Sequence, residues 1–313
     1  MPAAGEHLQA ITRRLKPLSE SASLDAQALL AYTLGKERSW VIAHPEYLLS
    51  SVEETGLTSN LKRLEDGEPL PYVLGHWEFY GLDLLVTPDV LIPRPETELL
   101  VEQALGWLSQ RPQDQAALDV GTGSGGIAVA LALHVPTLQV TALDRSAAAL
   151  QVARANAARH EVAERIVFVE SDLLEVLGEV KSSKFKVESS SKVETLNLQH
   201  LNHEQINHNP STFHILLANL PYIPTTDLRD LAVARREPWE ALDGGVDGLD
   251  LIRRLLGQAA PWLAPGGLAL LEIEERQGEA ALRLAEAAFP EAAATVLPDL
   301  TGHPRLLRID LTG

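Results

Sequence analysis

The 313-residue sequence contains no cysteine. Disulfide bonds, thiolate zinc sites, iron–sulfur clusters and cysteine nucleophiles are therefore excluded. The sequence also lacks an uncharged apolar run of about 18 residues, the length that a membrane-spanning helix needs. Its first residues, MPAAGEHLQAITRRLK, lack the apolar core of a signal peptide. These absences predict a cytoplasmic protein that does not contact a membrane.

Basic residues are few, since 26 Lys and Arg stand against 43 Asp and Glu, a formal net charge of −17. A generic nucleic-acid binder needs a Lys/Arg surface to replace phosphate counterions. Direct nucleic-acid binding is therefore not expected, and protein or small-molecule partners are favoured. The 45% of hydrophobic residues indicates a globular chain, and at roughly 100–200 residues per domain the length predicts about two domains.

The first part of the chain, residues 1–77, shows helical patterns without strand alternation, including a helix expected between Ser23 and Gly35. Residues 78–92 contain a break at Gly81 between two β-prone stretches. This pattern predicts a β-hairpin, which we expect to act as a hinge between two domains.

The remaining residues, 93–313, alternate apolar runs with helical stretches. The runs are AALDVG, QVTALD, RIVFVES, FHILLAN and GLALLEI. Strands that are apolar on both faces belong to a parallel sheet covered by helices on each side. The last runs, ATVLPDL and PRLLRIDL, indicate a closing antiparallel pair. The sequence thus predicts an α/β fold with a Rossmann-like, mostly parallel sheet after a small helical domain.

One segment interrupts this alternation. Residues 181–211 are polar and rich in Ser, Asn and His, which predicts a flexible, exposed insertion between the third and fourth strands. Its His200, His203 and His208 have no carboxylate or fourth ligand at a recognised spacing, so no metal site is predicted.

The clearest local motif is Asp119-Val-Gly121-Thr-Gly123-Ser-Gly125-Gly126, which follows an apolar run and opens a helix. Glycines let a ligand approach the bare backbone, and a helix N-terminus offers unpaired N–H groups. Gly121, Gly123 and Gly126 also fit the G-x-G-x-x-G pattern of dinucleotide enzymes. The motif alone is compatible with a nucleotide-like cofactor or with a tight structural turn.

Two acidic residues follow the next two runs. Asp144 lies about twenty residues after the glycines, where a carboxylate can accept hydrogen bonds from both ribose hydroxyls. Alternatively, Asp144 caps the helix that follows, a position that Ser146 could also fill. Asp172 would either flank an adenine ring or cap the next turn.

The tetrapeptide Asn219-Leu220-Pro221-Tyr222 follows the fourth run. Ligands of such sheets bind beyond the carboxyl ends of the strands, so we expect it near the glycine motif. The Asn219 side-chain oxygen and the Leu220 carbonyl can each accept a hydrogen from one NH2 group, and the Tyr222 ring can cover a flat group. The alternative is a structural asparagine at a proline-containing strand end.

These motifs, combined with Leu91-Ile92-Pro93-Arg94-Pro95-Glu96-Thr97-Glu98, resemble the HemK/PrmC family of glutamine N5-methyltransferases. Members methylate the glutamine of the Gly-Gly-Gln motif in class 1 peptide chain release factors. The resemblance runs through nearly the whole chain, including 67–81 and 241–250, and only 181–211 has no recognised counterpart. Many methyltransferases share the glycine motif, whereas LIPRPETE is specific to this family.

The resemblance implies S-adenosyl-L-methionine as the cofactor, with S-adenosyl-L-homocysteine as the product. The implied cofactor-binding residues are Gly121, Thr122, Gly123, Ser124, Gly125, Asp144, Asp172, Leu173 and Asn219. The implied catalytic residues are Asn219, Pro221 and Tyr222, and the implied glutamine pocket comprises Asn219, Leu220, Pro221 and Tyr222. A monomer that docks class 1 release factors with its N-terminal domain is expected.

The LIPRPETE segment lies over the cofactor crevice in the family. The resemblance therefore implies a site-shaping role for Arg94, Pro95, Thr97 and Glu98. The alternative is a salt-bridged helix start, because proline and acidic residues favour the first turn of a helix.

The sequence departs from the family pattern at Leu220, where the family usually has proline. Asn-Leu-Pro-Tyr also occurs in ribosomal RNA adenine dimethyltransferases, so N6-adenine methylation of RNA or DNA is one alternative function. N5-glutamine methylation of another protein, such as a ribosomal protein, is a second. An NAD-dependent oxidoreductase or a non-enzymatic cofactor-binding protein is a third, which leaves NLPY and PRPETE unexplained.

Overall fold

The computed structural model describes residues 2–111, 115–178 and 212–313. The predicted insertion at 181–211, with its three histidines, lies outside these ranges. The chain divides into two compact units. The first comprises Met1–Trp77 and Val86–Pro88, and the second comprises Glu78–Leu85 and Asp89–Gly313.

The first unit is helical. Its described helices are α1 (Ala4–Leu15), α2 (Ala22–Leu34), α3 (Arg38–Ala43), α4 (Ser51–Glu65) and α5 (Leu70–Leu74). A capping box starts α4, because the Ser50 hydroxyl accepts a hydrogen bond from the Glu53 N–H and the Glu53 carboxylate accepts one from the Ser50 N–H. The unit has its own apolar core, in which Leu29, Leu30 and Leu49 are fully buried.

The start of α2 corrects one prediction. The helix begins at Ala22 with Ser21 in the N-cap position, two residues before the expected Ser23. Asp25 lies in the first turn, where an acidic side chain is favourable, and its carboxylate accepts a hydrogen bond from the Ser21 hydroxyl at 3.0 Å. The end of the helix at Gly35 is as predicted, since Gly35 takes the left-handed conformation with φ +60°.

The first two strands, β1 (His76–Phe79) and β2 (Leu82–Leu85), form a two-stranded sheet. Tyr80 and Gly81 connect them with φ values of 52° and 74°. Two consecutive left-handed residues match the twist of a tight hairpin, and glycine at the second position lowers the strain. Residues 86–92 form no strand. The hinge role of this region stays a prediction.

The second unit is built on a seven-stranded sheet. After β3 (Ala116–Val120), its strands are β4 (Gln139–Asp144), β5 (Ile166–Glu170), β6 (Phe213–Ala218), β7 (Leu263–Glu272), β8 (Ala293–Pro298) and β9 (Pro304–Asp310). The order is β5-β4-β3-β6-β7-β9-β8. Neighbours from β5 to β7 are parallel, whereas β9 pairs antiparallel with β7 and β8. The predicted fold class is confirmed.

Helices cover both faces of this sheet. They are α6 (Glu98–Ser109), α7 (Gly126–His134), α8 (Ala147–Arg159), α9 (Thr225–Leu228), α10 (Asp250–Ala259) and α11 (Gly278–Ala288). Along β6, Ile215 and Leu217 pack into the core with α6, α7 and α8, while Leu216 packs into the opposite core with α10 and α11. This double burial explains why the strand sequences are apolar at successive positions. Across the described ranges, no helix has both the length and the apolar composition to cross a membrane.

Candidate active site

Four strands of the parallel sheet reach one level at their carboxyl ends. One residue from each strand lies side by side across the sheet at this level: Leu143 of β4, Val120 of β3, Ala218 of β6 and Leu271 of β7. The residues that directly follow these partners form what we call the functional row: Asp144, Gly121, Asn219 and Glu272. The prediction that the glycine motif and the Asn219 tetrapeptide meet at this edge is confirmed, because both contribute to the same cavity.

The cavity has a volume of about 300 Å³. It is lined by most of the sequence-predicted residues: Gly121, Thr122, Gly123, Ser124, Asp144, Asp172, Leu173, Asn219, Leu220 and Pro221. Gly125 and Tyr222 are not among the described residues that line it. Further apolar side chains complete the wall, namely Phe79, Val90, Ile127 and Leu251.

The glycine motif forms a turn tied to the neighbouring strand. The N–H groups of Gly121 and Thr122 both donate to the Leu143 carbonyl, at 2.8 and 2.9 Å. Gly121 has φ +74°, and a Cβ there would lie 2.9 Å from Leu220 Cδ2. The turn therefore requires glycine both for its backbone conformation and for its contact with the tetrapeptide.

Gly125 allows α7 and α8 to pack closely. It has φ +81°, and a Cβ on it would lie 3.0 Å from the Ala153 Cβ on α8. A glycine here lets the start of α7 approach α8 closely. Its predicted cofactor role stays a prediction, since its position in the structure is explained by helix packing.

Asp144 links the turn to α8. Its Oδ2 accepts a hydrogen bond from the Gly123 N–H at 2.9 Å, and its Oδ1 accepts one from the Ser146 N–H at 2.8 Å. Ser146 is the N-cap of α8, because its hydroxyl accepts from the Ala149 N–H. The alternative in which Asp144 caps the helix is thus wrong. Burial raises the pKa of Asp144, because it disfavours the charged carboxylate. The hydrogen bonds from the Gly123 and Ser146 N–H groups oppose this effect and stabilise the charged form.

The next two predicted residues differ in what they offer the cavity. The Asp172 carboxylate accepts a hydrogen bond from Arg254 Nη2 at 2.8 Å, in a half-exposed ion pair. Leu173 is buried and has φ +52°, a left-handed conformation that is uncommon outside glycine. Leu173 lines the cavity, while the Asp172 charge is already paired.

The Asn219 amide belongs to a buried hydrogen-bond network. Asn219 Nδ2 donates to Thr97 Oγ1 at 2.8 Å, and Thr97 Oγ1 donates to Glu272 Oε2 at 2.7 Å. The Tyr222 hydroxyl donates to the other carboxylate oxygen, Glu272 Oε1, at 3.2 Å. Burial raises the pKa of Glu272 to about 7, and burial together with the Glu272 carboxylate raises the pKa of Tyr222.

Glu272 lies in none of the predicted site motifs. It is the last residue of β7 and the last but one of the run GLALLEI, and a glutamate near the end of such a run usually meets solvent. The available signal was register, because Glu272 follows the last run of the parallel sheet just as Asn219 follows the run before it.

The segment 241–250 supports the tetrapeptide backbone. A Cβ on Gly248 would collide with the Tyr222 carbonyl oxygen, and one on Gly244 would lie 2.8 Å from the Pro221 carbonyl oxygen. Gln277 Nε2 also donates to the Tyr222 carbonyl, at 2.8 Å. The glycines of ALDGGVDGLD thus allow close packing against the tetrapeptide.

The LIPRPETE segment combines both roles considered for it. Pro95–Thr97 form a 3-10 turn before α6, and the Arg94 guanidinium pairs with the buried Glu237 carboxylate at 2.5 Å. Glu98 Oε1 accepts from the Tyr80 N–H at 2.9 Å. The segment is a salt-bridged helix start, and it also delivers Thr97 to Asn219.

In residues 2–111, 115–178 and 212–313, no cluster of three or more His, Cys, Asp or Glu side chains is arranged to hold a metal ion. The cavity instead suits a nucleoside-containing molecule. It offers apolar walls for a base and the Asp144 carboxylate for hydroxyl groups.

Two domain families match the chain. Residues 6–75 match the PrmC N-terminal domain, and residues 113–215 match a methyltransferase domain. A solved structure that resembles the fold is a release-factor-specific protein-(glutamine-N5) methyltransferase from Alicyclobacillus acidocaldarius, with 25% identity and a TM-score of 0.41, covering 73% of this chain and 99% of that chain.

Curated relatives extend over most of the chain. The release factor glutamine methyltransferase of Coxiella burnetii is 36% identical over 280 residues, which cover 88% of each protein. That of Moorella thermoacetica is 38% identical over 287 residues, which cover 91% of this chain and 90% of the relative. With identity of this level over nearly the full length, the chain belongs to the release factor glutamine methyltransferase family.

Proposed function

We propose that this protein transfers a methyl group from S-adenosyl-L-methionine to the side-chain amide nitrogen, N5, of the glutamine in the Gly-Gly-Gln motif of class 1 peptide chain release factors. The observation that carries the proposal is the functional row. It brings a glycine turn suited to a nucleoside and the Asn219 side chain to one cavity. Family membership supports the choice of substrate.

The cavity residues suit the cofactor. Asp144 would accept hydrogen bonds from the ribose hydroxyls, and the backbone of Gly121 to Gly123 would lie against the cofactor. Leu173 would pack beside the adenine ring. When bound, S-adenosyl-L-methionine would supply an electrophilic methyl group. The glutamine nitrogen would form a bond to this methyl as the methyl–sulfur bond breaks, S-adenosyl-L-homocysteine would leave, and the methylated nitrogen would then lose one proton to water.

The chain's own contribution is to position and polarise the glutamine amide. An amide nitrogen is a poor nucleophile, because its lone pair is delocalised into the carbonyl. Asn219 Oδ1 and the Leu220 backbone carbonyl would each accept one hydrogen of the NH2 group. These bonds hold the nitrogen in attack geometry and favour the positive charge that develops on it.

Leu220 is compatible with this role although the family usually has proline there. The acceptor that residue 220 supplies is its backbone carbonyl, which every residue has. Its side chain is buried against Gly121 in the hydrophobic core. Pro221 restricts Leu220 to extended backbone conformations, so the carbonyl direction remains defined.

The helical unit, residues 1–77, is proposed to dock the release factor, with the hairpin region as the hinge. Support comes from the match of residues 6–75 to the PrmC N-terminal domain. The protein is proposed to act as a monomer.

The test is incubation of the purified protein with labelled S-adenosyl-L-methionine and unmethylated release factor, followed by mass spectrometry of the Gly-Gly-Gln peptide. One added methyl on the glutamine is expected. It should disappear when that glutamine is replaced, and Asn219→Ala should abolish most of the transfer at saturating cofactor.

The result that would overturn the proposal is no transfer to the release factor by a protein that binds the cofactor, while a control enzyme methylates the same preparation. Ribosomal proteins and RNA would then be assayed as substrates. Transfer to adenine would identify the alternative N6-adenine methyltransferase, and a nicotinamide requirement would identify the oxidoreductase alternative.

A further inference from the structure

The orientation of the Asn219 side chain is decisive for amide recognition. Its two ends have nearly the same shape but opposite hydrogen-bonding character, since Oδ1 accepts and the NH2 group donates. A substrate NH2 group needs an acceptor. If Asn219 were rotated by half a turn, its own NH2 group would face the substrate NH2 group, and the site would repel the amide that it should bind.

The single hydroxyl hydrogen of Thr97 fixes this orientation. The Thr97 hydroxyl carries a single hydrogen, and when Glu272 is ionised Thr97 donates that hydrogen to Glu272 Oε2, at 2.7 Å. Only lone pairs of Thr97 Oγ1 then remain for Asn219, which must present its NH2 group, as observed at 2.8 Å. The rotated amide would either set oxygen against oxygen or, if the Thr97 hydroxyl turned its hydrogen to Asn219, leave a buried carboxylate oxygen without its donor.

The network is well shielded from water. Thr97 and Glu272 are 5% and 2% exposed, so solvent does not compete for their hydrogen bonds. Glu272 Oε1 accepts from the Tyr222 hydroxyl, which leaves Oε2 as the partner of Thr97. Buried polar networks of this kind hold a single arrangement because every alternative leaves a group unpaired.

We propose that Thr97 and Glu272 are positioning residues that orient the Asn219 amide, with Thr97 taking the NH2 group so that Oδ1 is directed to the substrate amide. The proposal rests on the proposed function, since it assigns to these residues the selection of an amide NH2 donor. Neither residue needs to touch the substrate. LIPRPETE therefore contributes to catalysis through its threonine.

The test uses a matched pair of variants. Thr97→Val keeps the shape of the side chain and removes the hydroxyl, whereas Thr97→Ser keeps the hydroxyl. Thr97→Ala serves as a second hydroxyl-free variant if the valine protein does not fold. Thermal unfolding of each protein establishes that the comparison is made between folded enzymes.

The first measurement needs no substrate. In 15N-labelled protein, the side-chain NH2 signals of Asn219 are identified by their loss in Asn219→Ala. Thr97→Val should shift these signals and speed their exchange with water, and Thr97→Ser should leave them close to the wild-type values. Unchanged signals in the hydroxyl-free variants would overturn the proposal.

The second measurement is steady-state methyl transfer to the release factor. Loss of one oriented hydrogen bond is expected to lower kcat about 10-fold or more in Thr97→Val. The cofactor Kd should stay within about twofold and Thr97→Ser should recover most of the rate, because the hydroxyl acts on Asn219 and not on the cofactor. A wild-type kcat in a hydroxyl-free variant would contradict the proposal.

The two measurements separate this proposal from the proposed function. If the wild-type protein transfers no methyl to glutamine, the proposed function fails, and the NH2 signals alone decide whether Thr97 orients Asn219. If transfer occurs and the signals do not respond to Thr97→Val, the orientation mechanism fails while the function stands.

Discussion

The Asp144 carboxylate accepts a hydrogen bond from the Gly123 N–H at 2.9 Å, which joins the end of β4 to the glycine turn after β3. The same carboxylate accepts from the Ser146 N–H at the start of α8. One acidic side chain thus holds the turn in shape and lines the cavity. Its removal should affect both the stability of the turn and cofactor binding.

We predict that Asp144→Ala raises the Kd for S-adenosyl-L-methionine by about 10-fold to 100-fold, since hydrogen bonds to charged groups contribute about 1.5–3 kcal/mol. Isothermal titration calorimetry measures the change. Asp310→Ala is the matched control, because that carboxylate is paired with Arg308 and is not among the described residues that line the cavity, and its Kd should change by less than about threefold. Equal effects of the two variants would contradict the assignment.

Gly121 and Gly123 form a second matched pair. Both have left-handed backbone, with φ +74° and +54°, but only at Gly121 would a Cβ lie within 4 Å of a described atom, Leu220 Cδ2. Alanine at either position should cost about 1–2 kcal/mol for its backbone conformation. Gly121→Ala should cost more than Gly123→Ala in urea unfolding, and equal costs would exclude the Leu220 contact as a cause.

Leu220 is expected to contribute to stability through its side chain and to catalysis through its backbone carbonyl. The side chain is buried, so Leu220→Ala should lower the free energy of unfolding by about 2–5 kcal/mol. Its kcat should stay within about threefold below the melting transition, because the backbone carbonyl is kept. Asn219→Ala should lower kcat at least about 100-fold, as for loss of a transition-state hydrogen bond. A comparable fall in both variants would show that the leucine side chain is itself required for transfer.

Glu272 should make stability depend on pH. Burial raises its pKa from 4.5 to about 7, so the folded protein holds this proton more tightly than the unfolded chain does. The stabilisation is full below pH 4.5 and is lost as pH rises through about 7, by up to about 3 kcal/mol. The Glu272→Gln variant has no titrating group at this position, so it does not lose this stabilisation as pH rises.

The difference in unfolding free energy between wild type and Glu272→Gln should therefore move in favour of the variant between pH 5 and pH 8. Chemical unfolding at both pH values measures it. The buried Asp119, whose pKa is also raised by burial to about 7, is present in both proteins and cancels. A difference that does not change with pH would contradict the prediction for Glu272.

Much of the fold was predictable because burial on both faces leaves unbroken apolar runs, as in QVTALD and FHILLAN, and because parallel strands place their carboxyl ends together. Asp144 and Asn219 were therefore expected near one cavity, whereas Thr97 was expected there only from the family resemblance. What the sequence could not reveal is hydrogen-bond pairing in three dimensions. Glu272 looks like an ordinary strand end, and Ser21 and Ser23 are equally good helix caps until the backbone is known.

The functional row also determines which changes of chain length the site can tolerate. Because Ala218 is in register with both Val120 and Leu271, the position of Asn219 is fixed from two sides of β6. Residues added before Phe213 would leave these pairings intact. A single residue inserted between Ile215 and Asn219 would turn Asn219 to the opposite face of the sheet. Relatives should therefore vary in length ahead of β6 and keep a constant length within it.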